Sequence, residues 1–102
     1  MKYNKLVRDK IPEIITSRGA VPTTHIADGD EYRQKLRAKL EEEVAEFLQD
    51  NSAEELADIL EVVYALGALI GTDKNDLEII REKKVQTRGG FQKKIILEET
   101  RE

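Results

Sequence analysis

Apolar residues recur at three- and four-residue intervals through the middle of the chain, the period of helices buried along one face. Tyr32, Leu36, Leu40, Val44, Phe47 and Leu48 follow that spacing and predict a helix from about Glu31 to Asp50. Asp30, closing the Asp28-Gly29-Asp30 turn, is placed to cap it. Asn51, a residue that tolerates the left-handed conformation, is placed to end it. Ser52 and Glu55 then form a Ser-x-x-Glu box that starts another helix, Ala53 to Ile70. So short a connection favours an antiparallel helical hairpin. The second of these helices is the most apolar stretch and is expected at the centre of the fold. Gly71 stops it, and Thr72 or Asp73 caps a further helix that continues to about Arg88.

Upstream, Ile11, Ile14 and Ile15 give a shorter helix an apolar face, with Pro12 in its first turn, Asp9 as its cap and Gly19 as its stop. Ala20 to Ala27, with Pro22, two threonines and Ile26, reads as extended chain or a short strand. After Gly89-Gly90 the pattern changes to an extended apolar tail, Phe91, Ile95, Ile96 and Leu97, suited to a short pairing with Thr24 to Ile26. The last residues, EETRE, are expected to fray. The expected fold class is therefore all-α, a four-helix bundle in one domain over residues 1–102, with a minor two-stranded β element.

Polar residues that interrupt the apolar pattern carry the candidate chemistry. At about 100° per residue, with Leu36 as origin, Tyr32, Leu40, Val44 and Phe47 fall between about −40° and about +80°. Glu43 lies inside that arc at about −20°, and Glu46 flanks it at about −80°. Glu42 is further round, and Glu41 faces solvent. On the next helix Glu55 shares the side of Ile59, Val62 and Leu66, and Asp58 lies one turn on, nearer Leu69. Glu43 and Glu46 are three residues apart, as are Glu55 and Asp58, so each pair can converge on one point. A run of glutamates on a helix is ordinarily a solvated face. Carboxylates on an apolar stripe are costly to bury without a cation or strong donors, however. Two such pairs on a tight hairpin would also face each other. Four carboxylates without an imidazole suit a hard, oxygen-preferring ion, Mg²⁺ or Mn²⁺. A di-iron bundle would need Glu-x-x-His on two helices, and the single histidine, His25, falls outside the predicted helices.

Composition narrows the function classes. The 102 residues are 39% hydrophobic and 37% charged, too apolar for a disordered chain and sized for one small domain. A core this small makes oligomerisation a natural source of stability. A formal charge of −4 argues against binding a nucleic-acid polymer. The absence of cysteine excludes disulfides, thiolate zinc sites and thiol nucleophiles. No secretory leader pattern opens the sequence, and the longest apolar run, Ile59 to Ile70, contains Glu61 and is too short to span a bilayer. No membrane partner and a cytoplasmic location are the expectations.

Opposite charge is supplied at both ends. With Leu77 and Ile80 marking the inner face of the last helix, Lys84 falls between them, Arg88 one turn on, and Lys83 near the same edge. Such residues also serve a helix C-terminus or snorkel over a core. With the Gly89-Gly90 backbone they are candidates to hold phosphate oxygens beside a metal. No P-loop or GxGxxG is present. Asn4, Lys5, Arg8 and Lys10 form a second polar-basic cluster able to close over an anion.

EEVAE at Glu42 to Glu46 and ELAD at Glu55 to Asp58 resemble the paired E-E-x-x-E and E-x-x-D motifs of the MazG-like nucleotide pyrophosphohydrolases. These belong to the all-α NTP pyrophosphatase superfamily, together with phosphoribosyl-ATP pyrophosphatases and dimeric dUTPases. YNKLVRDKIPEII and KKVQTRGGFQKKIIL look like a small-domain, house-cleaning branch acting on non-standard nucleotides, and the likeness runs from Tyr3 to Leu97. It implies that Glu43, Glu46, Glu55 and Asp58 coordinate Mg²⁺, with Glu42 assisting or holding a metal-bound water. It further implies cleavage of a nucleoside triphosphate between the α and β phosphates, with Lys84 and Arg88 stabilising phosphate charge. Homodimers, or dimers of dimers, are the implied assembly. Phosphoribosyl-ATP hydrolysis on the same scaffold, or a non-catalytic helical interaction module, are the competing functions.

Overall fold

The computed structural model describes residues 1–101 and consists of four helices: α1 (Ile11–Ser17), α2 (Gly29–Asp50), α3 (Ala53–Leu69) and α4 (Lys74–Arg88). The body is the α2–α3 hairpin. Asn51 makes the reversal with φ 54° and ψ 33°, its N–H donating to the Phe47 carbonyl at 2.7 Å. Ser52 follows as N-cap, its hydroxyl accepting the Glu55 N–H at 3.3 Å. Leu36 and Val62 are the only buried large apolar side chains among the described residues, one on each helix of the hairpin.

The α2 start differs from expectation. Asp28, not Asp30, is the cap, because its extended backbone (ψ −179°) lets its carboxylate accept the Glu31 N–H at 2.8 Å. Asp30 and Glu31 then lie in the first turn, where the helix dipole favours them. Similarly, Lys10 rather than Asp9 occupies the N-cap of α1, and no side chain caps that helix. Gly19 does stop α1. It is left-handed at φ 91°, and the N–H groups of Gly19 and Ala20 return to the Thr16 and Ile15 carbonyls.

The α3 terminus is built the same way. Gly71, at φ 81°, lets the Thr72 N–H reach the Gly67 carbonyl at 2.8 Å and the Gly71 N–H reach that of Ala68. Asp73 caps α4 through the Asp76 N–H at 2.8 Å. The Lys74 ammonium stands 5.0 Å from the centre of the Tyr64 ring, tying the start of α4 to α3. Beyond this junction α4 is loosely attached, and Ile79, Ile80 and Val85 are exposed.

No strand forms among the described residues, so the expected β element is absent. Val21 and Ile26 on one segment, and Phe91, Ile95, Ile96 and Leu97 on the other, are exposed. A two-stranded ribbon is marginal without a surface to pack on, and neither segment has one. Leu48 also departs from the expected buried stripe and is 71% exposed. At about +120° from Leu36 it has turned away from α3.

The chain is open. Its radius of gyration is 18.2 Å and its extents are 62 × 31 × 23 Å, against about 13 Å for the radius of a compact domain of this length. No helix is long and apolar enough to cross a membrane.

Candidate metal centre

Two turns of α2 and the first two turns of α3 meet beside the Asn51–Ser52 reversal, and there the carboxylates come together. Glu43, Glu55 and Asp58 each offer an oxygen, and these atoms lie within 4.8 Å of one another. Glu43 is only 6% exposed, and Glu55 and Asp58 are half-buried. Within this group the Oε2 atoms of Glu43 and Glu55 are buried and have no hydrogen-bond partner. Buried polar atoms are normally satisfied, so two orphaned carboxylate oxygens on residues of one converging group are an arrangement a cation would resolve.

Electrostatics agree. The Glu55 carboxyl is pushed above the ordinary glutamate range, first by burial, then by side-chain hydrogen bonding with the adjoining Glu46 carboxyl, then by the charges of Glu46, Asp58 and Glu43. Glu46, the fourth expected ligand, is therefore beside Glu55 but outside the group of three that converge. Glu55 leaves the second half of the capping box unmade. Its side chain does not return to the Ser52 N–H, because it is turned into the acidic group instead.

The cations around the site come from the N-terminal segment and from α2. The Arg8 guanidinium donates to Asp58 Oδ1 at 2.7 Å, and the Lys5 ammonium lies 3.3 Å from Glu42 Oε1. Lys35 donates to the Asn4 carbonyl at 2.6 Å, so residues 4–8 run across the site's side of the hairpin. Asn4 is left-handed at φ 49°. Asn4, Lys5, Arg8 and Lys10 were expected to close over an anion; here Lys5 and Arg8 pair with the carboxylates of Glu42 and Asp58, while Asn4 contributes only its carbonyl to Lys35. Glu42 does not join the converging group; it is shared by Lys5 and by Lys39, which is 3.6 Å away. The sequence reasoning missed Lys39. Its ammonium is 3.3 Å from Glu43 Oε1, and its spacing of three and four residues from Glu42 and Glu43 was the available signal.

Lys83, Lys84 and Arg88 are not gathered in. All three are exposed on α4, and none makes an ion pair with the acids. Lys83 instead lines a shallow surface depression with Glu78, Ile79, Glu82 and Gln86. His25 is remote from the cluster and pairs with Glu31 at 2.8 Å.

An uncharacterized protein of Mycolicibacterium smegmatis (strain ATCC 700084 / mc(2)155) is 52% identical to this chain over 42 residues, 41% of this chain and 43% of that protein. The similarity thus spans less than half of either chain. No protein-family model matches, and no solved structure matches.

Proposed function

We propose that this chain is a Mg²⁺-dependent nucleoside triphosphate pyrophosphohydrolase of the MazG-like kind that its motifs resemble, with Mn²⁺ able to substitute. The observation that carries the reading is Glu43, a nearly fully buried carboxylate with an unpartnered oxygen, converging with Glu55 and Asp58. An all-oxygen donor set of this kind fits a hard divalent ion. Glu43, Glu55 and Asp58 would hold the ion, and Glu46, beside Glu55, would complete or support the set. When bound, such an ion supplies charge neutralisation for phosphate oxygens and acidity for an attacking water.

The chain's own residues then have defined tasks. Glu42, fixed by Lys5 and Lys39, orients the water. Lys5 and Arg8, paired with Glu42 and Asp58, keep positive charge beside the acids, where a triphosphate needs it as the bond between the α and β phosphates breaks. The water oxygen would bond to the α phosphorus as its proton passes to Glu42, the bond from that phosphorus to the α–β bridging oxygen would break, and pyrophosphate would leave with a nucleoside monophosphate remaining. Lys83, Lys84 and Arg88 touch none of the acids, so phosphate binding in this reading rests on the N-terminal cations. Clearance of non-canonical nucleotides in the cytoplasm by a homodimer or dimer of dimers is the corresponding physiological setting.

The test is pyrophosphate release from a panel of canonical, oxidised and otherwise modified nucleoside triphosphates and phosphoribosyl-ATP, with and without Mg²⁺. Release is expected with Mg²⁺ only. Glu43→Gln and Asp58→Asn should lower kcat/KM and ion affinity by about 100-fold or more, with helical circular dichroism retained. Phosphoribosyl-ATP as the one substrate turned over would place the activity in the histidine-pathway type of reaction. If no nucleotide is hydrolysed and calorimetry detects no divalent ion, the acids serve only to keep an interaction module soluble.

A further inference from the structure

The cations that touch the acidic group are held in two different ways. Lys39 sits on α2 itself, one turn before Glu42 and Glu43, and its side chain is only 19% exposed. The helix fixes its ammonium beside Glu43 Oε1 at 3.3 Å. Arg8 has no such support. Its side chain is 54% exposed and lies in the non-helical segment before α1. The hydrogen bond to Asp58 Oδ1, at 2.7 Å, is the one its guanidinium makes among the described residues. Its backbone, by contrast, is anchored, because the Arg8 carbonyl accepts the Ile11 N–H at 3.0 Å where α1 begins. The guanidinium can therefore leave Asp58 by side-chain rotation alone, and the anchored backbone keeps it within a side chain's length of the site.

Charge decides which cation gives way. Glu43, Glu55 and Asp58 bring carboxylate oxygens within 4.8 Å of one another, and in the ion-free protein a guanidinium on Asp58 relieves their repulsion. With a divalent ion on the same carboxylates, that guanidinium becomes a like charge close by in a partly buried site. An exposed ion pair contributes little to stability, so the Arg8–Asp58 pair is the contact that yields, while Lys39 stays. A guanidinium released there presents a planar fork of donors that matches phosphate oxygens.

We propose that Arg8 is an exchangeable counter-cation: it pairs with Asp58 in the ion-free protein and transfers to a phosphate oxygen of the substrate once a divalent ion is bound. The inference rests on the ion-site reading above and adds a coupling to it. Ion binding is opposed by the Arg8–Asp58 pair, and phosphate binding uses the group that the ion sets free. Arg8 thus acts in opposite directions on the two ligands.

Calorimetry on the full chain tests this with two titrations, Mg²⁺ alone and then inorganic pyrophosphate at saturating Mg²⁺. Arg8→Gln should bind Mg²⁺ about 5-fold or more tightly than the wild type, and should bind pyrophosphate about 5-fold or more weakly. Arg8→Lys keeps the charge, so its Mg²⁺ affinity should stay near that of the wild type, while pyrophosphate affinity falls in part because an ammonium lacks the fork. Arg18→Gln, at the C-cap of α1, removes the same charge from a residue with no carboxylate partner and should move neither affinity. A residue that only orients Asp58 would weaken both ligands when removed, and a merely solvated one would change neither. Equal Mg²⁺ affinity in Arg8→Gln and wild type, a shared direction of change, or an unchanged pyrophosphate affinity overturns the proposal. Absence of Mg²⁺ binding in wild type and Arg8→Gln alike would remove the ion-site reading itself, and the exchange with it.

Discussion

Glu55 stands where burial and the carboxylates of Glu46, Asp58 and Glu43 all oppose its charge, so its proton is held more tightly in the fold than in the unfolded chain. Stability linked to a raised carboxyl is fully present below the ordinary glutamate range and is lost as pH rises through the raised value. The ion-free protein should therefore melt at higher temperature on the acid side of that window than at neutral pH. Glu55→Gln keeps the shape and removes the charge, so its melting temperature should exceed that of the wild type at neutral pH and depend less on pH. Thermal circular dichroism in chelator between about pH 4 and pH 8 measures both. Adding Mg²⁺ should reverse the order. An ion that binds only the folded state at a hundredfold over its Kd stabilises by about 2.7 kcal/mol, and Glu55→Gln should lose most of that gain. A wild type that melts highest at neutral pH without the ion would show that the acids do not repel one another. Lys39 and Arg8 set the limit of this repulsion, because their cations already offset Glu43 and Asp58.

At the scale of elements, the reversals carry most of the information. Asn51 and Ser52 announce the α2–α3 hairpin because each has a specific backbone task, a left-handed residue and a hydroxyl acceptor, that few residue types perform. The hairpin in turn brings Glu43, Glu55 and Asp58 together, so that part of the site was legible in the sequence. Glu46 was harder to place, because at about −80° it sits at the edge of the inner arc, where a small rotation decides between ligand and neighbour. Asp28 and Asp30 are chemically equal as caps, and only the extended backbone at Asp28 selects it. The inner face expected for α4 is met only in part, because an apolar stripe does not state which surface it meets: Leu77 is half-buried, whereas Ile80 is left 49% exposed. Gly67 was not singled out, although it governs the α3–α4 corner. A Cβ there would come within 2.8 Å of the Thr72 carbonyl oxygen, a backbone atom fixed by the Gly71 turn. Gly67→Ala should destabilise the chain by about 1–3 kcal/mol despite the better helix propensity of alanine. Urea unfolding measures this. Gly89→Ala, with open space around its Cβ, would strain only through its backbone, φ 83° with ψ 179°, a region open essentially to glycine alone, and should cost about 1–3 kcal/mol.

At the scale of the whole molecule, Leu36 and Val62 are the only buried large apolar side chains among the described residues, a small core for 102 residues. The exposed apolar residues of α3, α4 and the Phe91–Leu97 segment are surface that contact with another chain would bury. Periodicity could reveal these faces but could not assign their partners, because residue spacing is the same whichever chain supplies the contact. Association and folding should therefore be coupled, and a folded state that requires association becomes more stable as the chain concentration rises. The melting temperature should climb measurably over a hundredfold increase in concentration, and Leu56→Glu with Leu60→Glu should flatten that dependence. A melting temperature independent of concentration in the wild type would mean that one chain suffices, with α4 and the C-terminal segment closing on the hairpin in solution.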